Sequence, residues 1–223
     1  MGTILCSAII DKAEIALHDT GNDRWTADDL FGWLKSGQRH AAILKPDVSV
    51  TNTSVTLVAG VKQSIPTGGI QLINIPYNMG VTPGTTPGPA IRIITLETMA
   101  AFNPTWTTDT AAAVVQNYMF DERDPKNFYV YPAQPAGVGY VTMVYAVTPA
   151  DPATIATAIT LDDIYETVLL DYILYRVYAE DAAQSQFASM RSMLHWNMFV
   201  EALGRKDLKE KIDHPRPVMN EQN

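Results

Sequence analysis

The tightest constraint on this chain lies between Leu161 and Lys211, where two successive helical segments each carry apolar residues on two faces. In the first segment Tyr165, Val168, Tyr172, Tyr175, Ala179 and Ala182 recur at spacings of three and four, as in a helix seam. Leu170, Ile173, Leu174 and Val177 lie roughly opposite. In the second segment Phe187, Met190, Leu194 and Met198 share one face, and Met193, Trp196, Val200 and Leu203 share the other. A helix apolar on two faces is buried on two faces. One face is therefore expected to meet the chain's own fold. The other meets either the strand-rich block of the same chain or a neighbouring subunit, and Leu170, Leu174, Val177, Met193, Trp196 and Val200 are the residues expected at such a subunit contact. Thr160 or Asp162 is placed to cap the first helix, which should run to about Glu180, and Gly204 to stop the second.

The N-terminal end is helical as well. Leu5, Ile9, Ala13, Ala16 and Leu17 fall on one side of a helix spanning about Thr3 to Asp19, which the turn-forming Thr20-Gly21-Asn22-Asp23 interrupts. A second helix begins at Thr26, with Asp29 three residues on as in a capping box. Its apolar line is Leu30, Trp33, Leu34, Gly37, Ala41 and Leu44, and Pro46 ends it. A glycine inside that line costs about 1 kcal/mol relative to alanine, so Gly37 predicts the close approach of another helix.

Between the helical ends the pattern changes to short strands. Val55, Leu57, Ala59 and Val61 alternate with Thr56, Val58 and Gly60 as in a half-buried strand. Further strands are expected at Ile70 to Ile75, Ala90 to Thr95, Ala113 to Phe120, Phe128 to Tyr131 and Tyr140 to Val147, with a helical turn from Leu96 to Phe102 stopped by Asn103-Pro104. Gly- and Pro-rich turns separate them. The fold class read from this order is α+β: helices at both ends (1–46 and 156–211), a mainly antiparallel β-rich insertion (47–155), and an extended C-terminal arm (212–223).

Composition narrows the chemistry. A net charge of −8 argues against a nucleic-acid-binding surface, which needs clustered Lys and Arg; an acidic wall lets DNA pass without sticking. Cys6 is the single cysteine, so no intrachain disulfide can form. No apolar run approaches the roughly 20 residues of a membrane span, and Asp11, Lys12 and Glu14 stand where a signal peptide would be apolar, so synthesis in a cytoplasm and no membrane partner are expected.

Candidate sites for catalysis dissolve one by one. His18, His40, His195 and His214 have no local metal-ligand spacing, and no serine sits in a Gly-x-Ser-x-Gly elbow. Gly137-Val138-Gly139 lacks the third glycine of a phosphate loop. Asp121, Glu122 and Asp124 read as a solvated hairpin turn, and Asp28-Asp29 and Asp162-Asp163 as helix starts favoured by the macrodipole. The expectation is no enzyme, no metal and no cofactor. An acid-pair hydrolase is the remote rival. A closer one is a carbohydrate- or receptor-binding virion module in which Tyr129, Tyr131 and Tyr140 form a stacking platform, with cross-strand aromatic pairing as the plainer reading. Beyond Lys211, Pro215 and Pro217 favour an extended form, and Ile212, Arg216, Val218 and Met219 give it something to dock with; a frayed terminus explains the same residues.

The order of several motifs resembles the head-to-tail adaptor (connector) proteins of tailed bacteriophages. These are Trp25-Thr26-Ala27-Asp28-Asp29-Leu30; Pro66 with Leu72-Ile73-Asn74-Ile75-Pro76-Tyr77-Asn78; Asn103-Pro104-Thr105-Trp106; Phe120-Asp121-Glu122-Arg123-Asp124-Pro125 running into Phe128-Tyr129-Val130-Tyr131-Pro132; Tyr145-Ala146-Val147-Thr148-Pro149; Asp171-Tyr172-Ile173-Leu174-Tyr175-Arg176; and Phe199 to Lys206. The resemblance spans nearly the whole chain and rests on order, since each motif alone is unspecific. It implies a helical bundle with a β-rich insertion, assembled as a homo-oligomeric ring, typically a dodecamer, in the neck of the virion. It further implies a structural role joining the portal protein to a tail or nozzle protein, an axial channel for DNA packaging and ejection, and a C-terminal arm that docks on the portal.

Overall fold

The computed structural model describes residues 2–80, 84–121 and 123–213, the last nine by their backbone alone. Two compact units emerge: residues 1–48 together with 149–223, and residues 49–148. The class is α+β, with helices at both ends and a β-rich insert.

The helical unit contains α1 (Cys6–Leu17), α2 (Ala27–Leu44), α4 (Glu166–Asp181) and α5 (Gln186–Asp213). Thr26 caps α2 in a capping box: its Oγ1 accepts the Asp29 N–H at 3.2 Å while the Asp29 carboxylate accepts from Thr26. Before it, the Asp19 carboxylate accepts the N–H groups of Trp25, Asp23 and Arg24. These bonds, Trp25's first, hold the Asp19 carboxyl below the usual carboxylate range. The buried line of α2 is Leu30, Phe31, Leu34, Gly37, Gln38, Ala41 and Ala42; Leu44, expected in it, is exposed.

Helix α4 is the centre of this unit, packed by α1, α2 and α5. Val168, Leu169, Tyr172, Ile173, Leu174 and Val177 are all buried, as a helix apolar all round must be. Gly37 permits the approach of α2: a Cβ there would lie 3.0 Å from Tyr172 Cδ1. Asp162, not Thr160, caps the start of this helix, accepting the Ile164 N–H ahead of a 3₁₀ turn at Asp163–Tyr165. Thr160 instead donates its N–H (2.8 Å) and hydroxyl (2.6 Å) to Oε1 of the buried Gln38. Asp163 accepts from the Thr3 hydroxyl and the N–H groups of Thr3 and Ile4, which ties the chain's first residues to the root of α4. Leu5, expected on the buried face of α1, bridges Ala158 instead, and Cys6, Ile9, Ile10 and Ala13 fill the core.

Gly204 does not end α5, which continues to Asp213. Gly costs a helix only about 1 kcal/mol, and nothing lies within 4 Å of where its Cβ would be. Ile212, expected in an extended arm, is therefore in the last turn of a helix.

The second unit holds two sheets, ordered β1-β9-β4-β5, with β3 also on β9, and β2-β8-β7-β6. The strands are β1 (Val50–Thr56), β2 (Gly60–Ser64), β3 (Gly69–Asn74), β4 (Tyr77–Met79), β5 (Pro87–Ala90), β6 (Arg92–Ile93), β7 (Asn117–Phe120), β8 (Asn127–Gln134) and β9 (Tyr140–Val147). Every pairing is antiparallel except β6 with β7. Burial alternates along all of β8 and along β9 as far as Tyr145, where Ala146 is buried as well, and Phe128 and Val130 of one sheet share a core with Val141 and Met143 of the other. The strand expected across Val55 to Val61 is broken. The side-chain amide of Gln63 accepts the Val58 N–H and donates to the Val58 carbonyl, both at 2.8 Å, standing in for a strand partner. Gly60, at φ 103°, then turns the chain into the second sheet. Asn78 clamps another crossing, exchanging both amide bonds with the Val115 backbone at 2.7 Å. The short helix α3 (Leu96–Phe102) stops at Asn103 as expected and packs Met99 with Trp106 and Met119.

Candidate functional site

The face of α5 turned away from its core is the largest feature that the fold leaves unexplained. Ala188, Ser192, Phe199 and Leu203 face inward and are buried, with His195 and Trp196 at the margin. Neither apolar line expected from the spacing is the buried one: Phe199 belonged to neither, and Ala188 and Ser192 are too small or too polar to register in a hydrophobic count. Opposite them Phe187 is 79% exposed, Met190 and Met193 each 64%, Leu194 55%, Met198 44% and Val200 39%. Phe187, Met190, Arg191, Met193, Leu194 and Asn197 line an open groove of about 490 Å³. These side chains leave roughly 500–600 Å² of apolar surface on one helix face, the upper end for a patch on a monomer.

The six residues expected at subunit contacts divide. Leu174 and Val177 are taken up by the chain's own core, and Leu170 packs half-buried against it. Those faces of α4 are covered from within, because α1, α2 and α5 surround that helix. Trp196 is also partly buried, its ring 5.0 Å from Tyr175 and 5.6 Å from Phe199. Met193 and Val200 alone of the six lie on the open face. Of the arm residues, Pro215, Arg216, Pro217, Val218 and Met219 lie outside the described residues.

A polar link between α4 and α5 went unread in the sequence. Asp171, 6% exposed, meets His195 Nδ1 at 3.0 Å, and the His195 ring stacks on Tyr178 at 5.7 Å. A carboxylate in the middle of an apolar helix was the available signal, since a buried charge calls for a partner. With the Ser192 hydroxyl donating to the Tyr175 carbonyl, it fixes how α5 lies along α4, and so which side of α5 faces out.

Among the described residues no three His, Cys, Asp or Glu side chains converge as a metal site would require. His40 shares its Nδ1 with the Tyr172 hydroxyl and the Ser36 carbonyl, each at 3.1 Å. In the 121–127 turn, Asp121 accepts the Arg123 N–H and Asp124 accepts from Asn127. Beside the α4–α5 turn, Arg24 pairs with Asp181 and Arg191 lies over Tyr178. The proposed tyrosine platform is divided between sheets. Tyr129 packs edge-on to Trp106 at 6.0 Å and Tyr131 donates to Asp109, both on β8, whereas Tyr140 is on β9 of the other sheet. That bond to Asp109 pushes the Tyr131 hydroxyl up. No described helix is long and apolar enough to cross a membrane.

The described residues form a helical unit and a β-rich insertion, with a broad apolar outer face on α5. Residues 5–219 match the model of the SU10 adaptor protein family, and the chain belongs to that family. It is a phage structural adaptor and a virion component. No curated protein matches it significantly.

Proposed function

We propose that the chain is a head-to-tail adaptor: identical copies form a ring in the neck of the virion, between the portal protein and a tail or nozzle protein, around a passage for DNA during packaging and ejection. The observation that carries this reading is the outer face of α5. Its apolar area approaches the ~800 Å² that each partner contributes to a standard interface, and a neighbouring copy is its occupant. Met193 and Val200 remain from the expected contact set, joined by Phe187, Met190, Leu194 and Met198. A copy number of twelve, and portal docking by Ile212 and the residues from Pro215 to Met219, are what the adaptor resemblance implies. The net charge of −8 suits a passage that DNA must not adhere to.

Electron microscopy of the purified chain mixed with its portal tests this directly. Rings seated on the portal are expected, and Leu194→Glu should yield a folded chain that forms none. A chain that stays monomeric with portal present refutes the reading. Truncation after Asp213 should weaken portal binding while leaving contacts between copies intact.

A further inference from the structure

Five strands have an outer edge in the two sheets, and four of them are blunted, β3 by two register shifts against β9 and by the Leu72 N–H spent on the Pro125 carbonyl. β5 carries Pro87 and Pro89, β6 is two residues long and begins with Arg92, and β2 contains Lys62 and a register shift. Prolines, charges, bulges and brevity are the devices that keep an edge from recruiting another strand. β1 has none of them. Its seven residues, Val50–Thr56, pair with β9 in unbroken register, contain no charge and no proline, and include five β-branched side chains.

The register also says which backbone groups are unspent. The Val147 N–H donates to the Ser49 carbonyl and the Leu57 N–H to the Gly139 carbonyl. Ser49 and Leu57 share parity with Thr51, Thr53 and Val55, so those residues bond to β9. The N–H and C=O of Val50, Asn52, Ser54 and Thr56 point outward, and no partner for them occurs among the described residues. No residue of β1 is buried.

We propose that β1 pairs antiparallel with β1 of a second copy, about a two-fold axis at Thr53. The sequence is self-complementary in that register. Thr53 meets Thr53, Asn52 meets Ser54, Thr51 meets Val55 and Val50 meets Thr56, so polar faces polar and β-branched faces β-branched or threonine. Parity agrees: the outward residues Asn52 and Ser54, and Val50 and Thr56, fall opposite each other as bonded pairs, giving roughly eight inter-chain N–H···O=C bonds. The absence of charge matters in a chain of net −8, because two copies approach along this strand without like charges in contact. A two-fold contact closes on itself and uses no residue of α5, so it does not depend on the ring.

The test uses the full chain with Thr53→Cys. At the axis the two Cα atoms are about 4.5 Å apart, within disulfide range, so mild oxidation should give a covalent dimer. Thr51→Cys, whose copies sit about four strand residues apart across the axis, should not. Native Cys6 is fully buried and its thiol is pushed up by that burial, which keeps it out of the exchange. Sedimentation should show a reversible dimer that Thr53→Lys weakens by tenfold or more, since like charges then face each other across the axis. Thr53→Val should retain it. Equal cross-linking at 51 and 53, or a monomer at every concentration, overturns the proposal. Leu194→Glu should leave the cross-link intact; if it abolishes it, the dimer belongs to α5 and β1 pairing is wrong.

Discussion

Helices α4 and α5 carry nearly the same pattern, apolar residues on two faces, yet they end in opposite circumstances. Helix α4 is enclosed by three neighbours of its own chain. Helix α5 has one such side and presents Phe187, Met190 and Leu194 to the outside. Periodicity reports that a face is apolar; it is silent on who covers it. What separates the two is position in the fold. Residues 1–48 return to pack on α4, with Gly37 clearing space for Tyr172, and no later segment among the described residues does the same for α5.

Substitutions make that contrast measurable. The largest effect belongs to the enclosed surfaces: Phe199→Ala on the inner side of α5 and Ile173→Ala on α4 should each cost about 3–5 kcal/mol in denaturant unfolding, through lost burial and the cavity left behind. Gly37→Val should cost about 1–3 kcal/mol, since the added methyls meet the Tyr172 ring, and a paired Tyr172→Leu should recover part of it. Met190→Ser and Leu194→Glu on the open face should change unfolding by no more than about 0.5 kcal/mol while abolishing ring formation on the portal in electron microscopy. If either destabilises the isolated chain as much as Phe199→Ala does, the two faces of α5 are not different in kind.

The smallest effect concerns the root of α4. The Thr3 hydroxyl, then the N–H groups of Ile4 and Thr3, hold the Asp163 carboxyl below its usual range. A depressed folded value means the stabilisation is present above the unfolded pKa of about 3.9 and is lost as pH falls through the lower folded value. Asp163→Asn should therefore flatten the acid limb of the stability profile and leave it nearly parallel to the original above pH 5.

Where chemistry was local, the sequence was sufficient. The Thr26–Asp29 box, the end of α3 at Asn103, the span of β9 and the close approach at Gly37 follow from neighbouring residues or from a single residue out of place. Where one interaction spans the fold, it was not. Thr160 yields its cap because Gln38, 122 residues away, takes its N–H, whereas the strand expected through Val58 fails for a nearby reason that hydrophobic alternation does not register, capture of that backbone by the Gln63 amide five residues on. The orientation of α5 was misread for a related reason: Ala188 and Ser192 mark the inner side only once Asp171 and His195 have fixed how the helices lie together. The free edge of β1 was equally hidden, because edges exist only after strands have been ordered in a sheet.

The division of the helical unit between the two ends of the chain has a consequence for timing. Helices α1 and α2 leave the ribosome with their apolar sides bare, and α4, which must cover them, follows more than a hundred residues later. At 5–20 residues per second that is a wait of roughly ten seconds, long compared with helix or hairpin formation. The β unit fills the interval. The Val147 N–H on the Ser49 carbonyl, 2.8 Å away, draws its two ends together. Once that unit has folded, α4 emerges beside the waiting pair instead of at the end of a loose loop, and most of the closure entropy has already been spent.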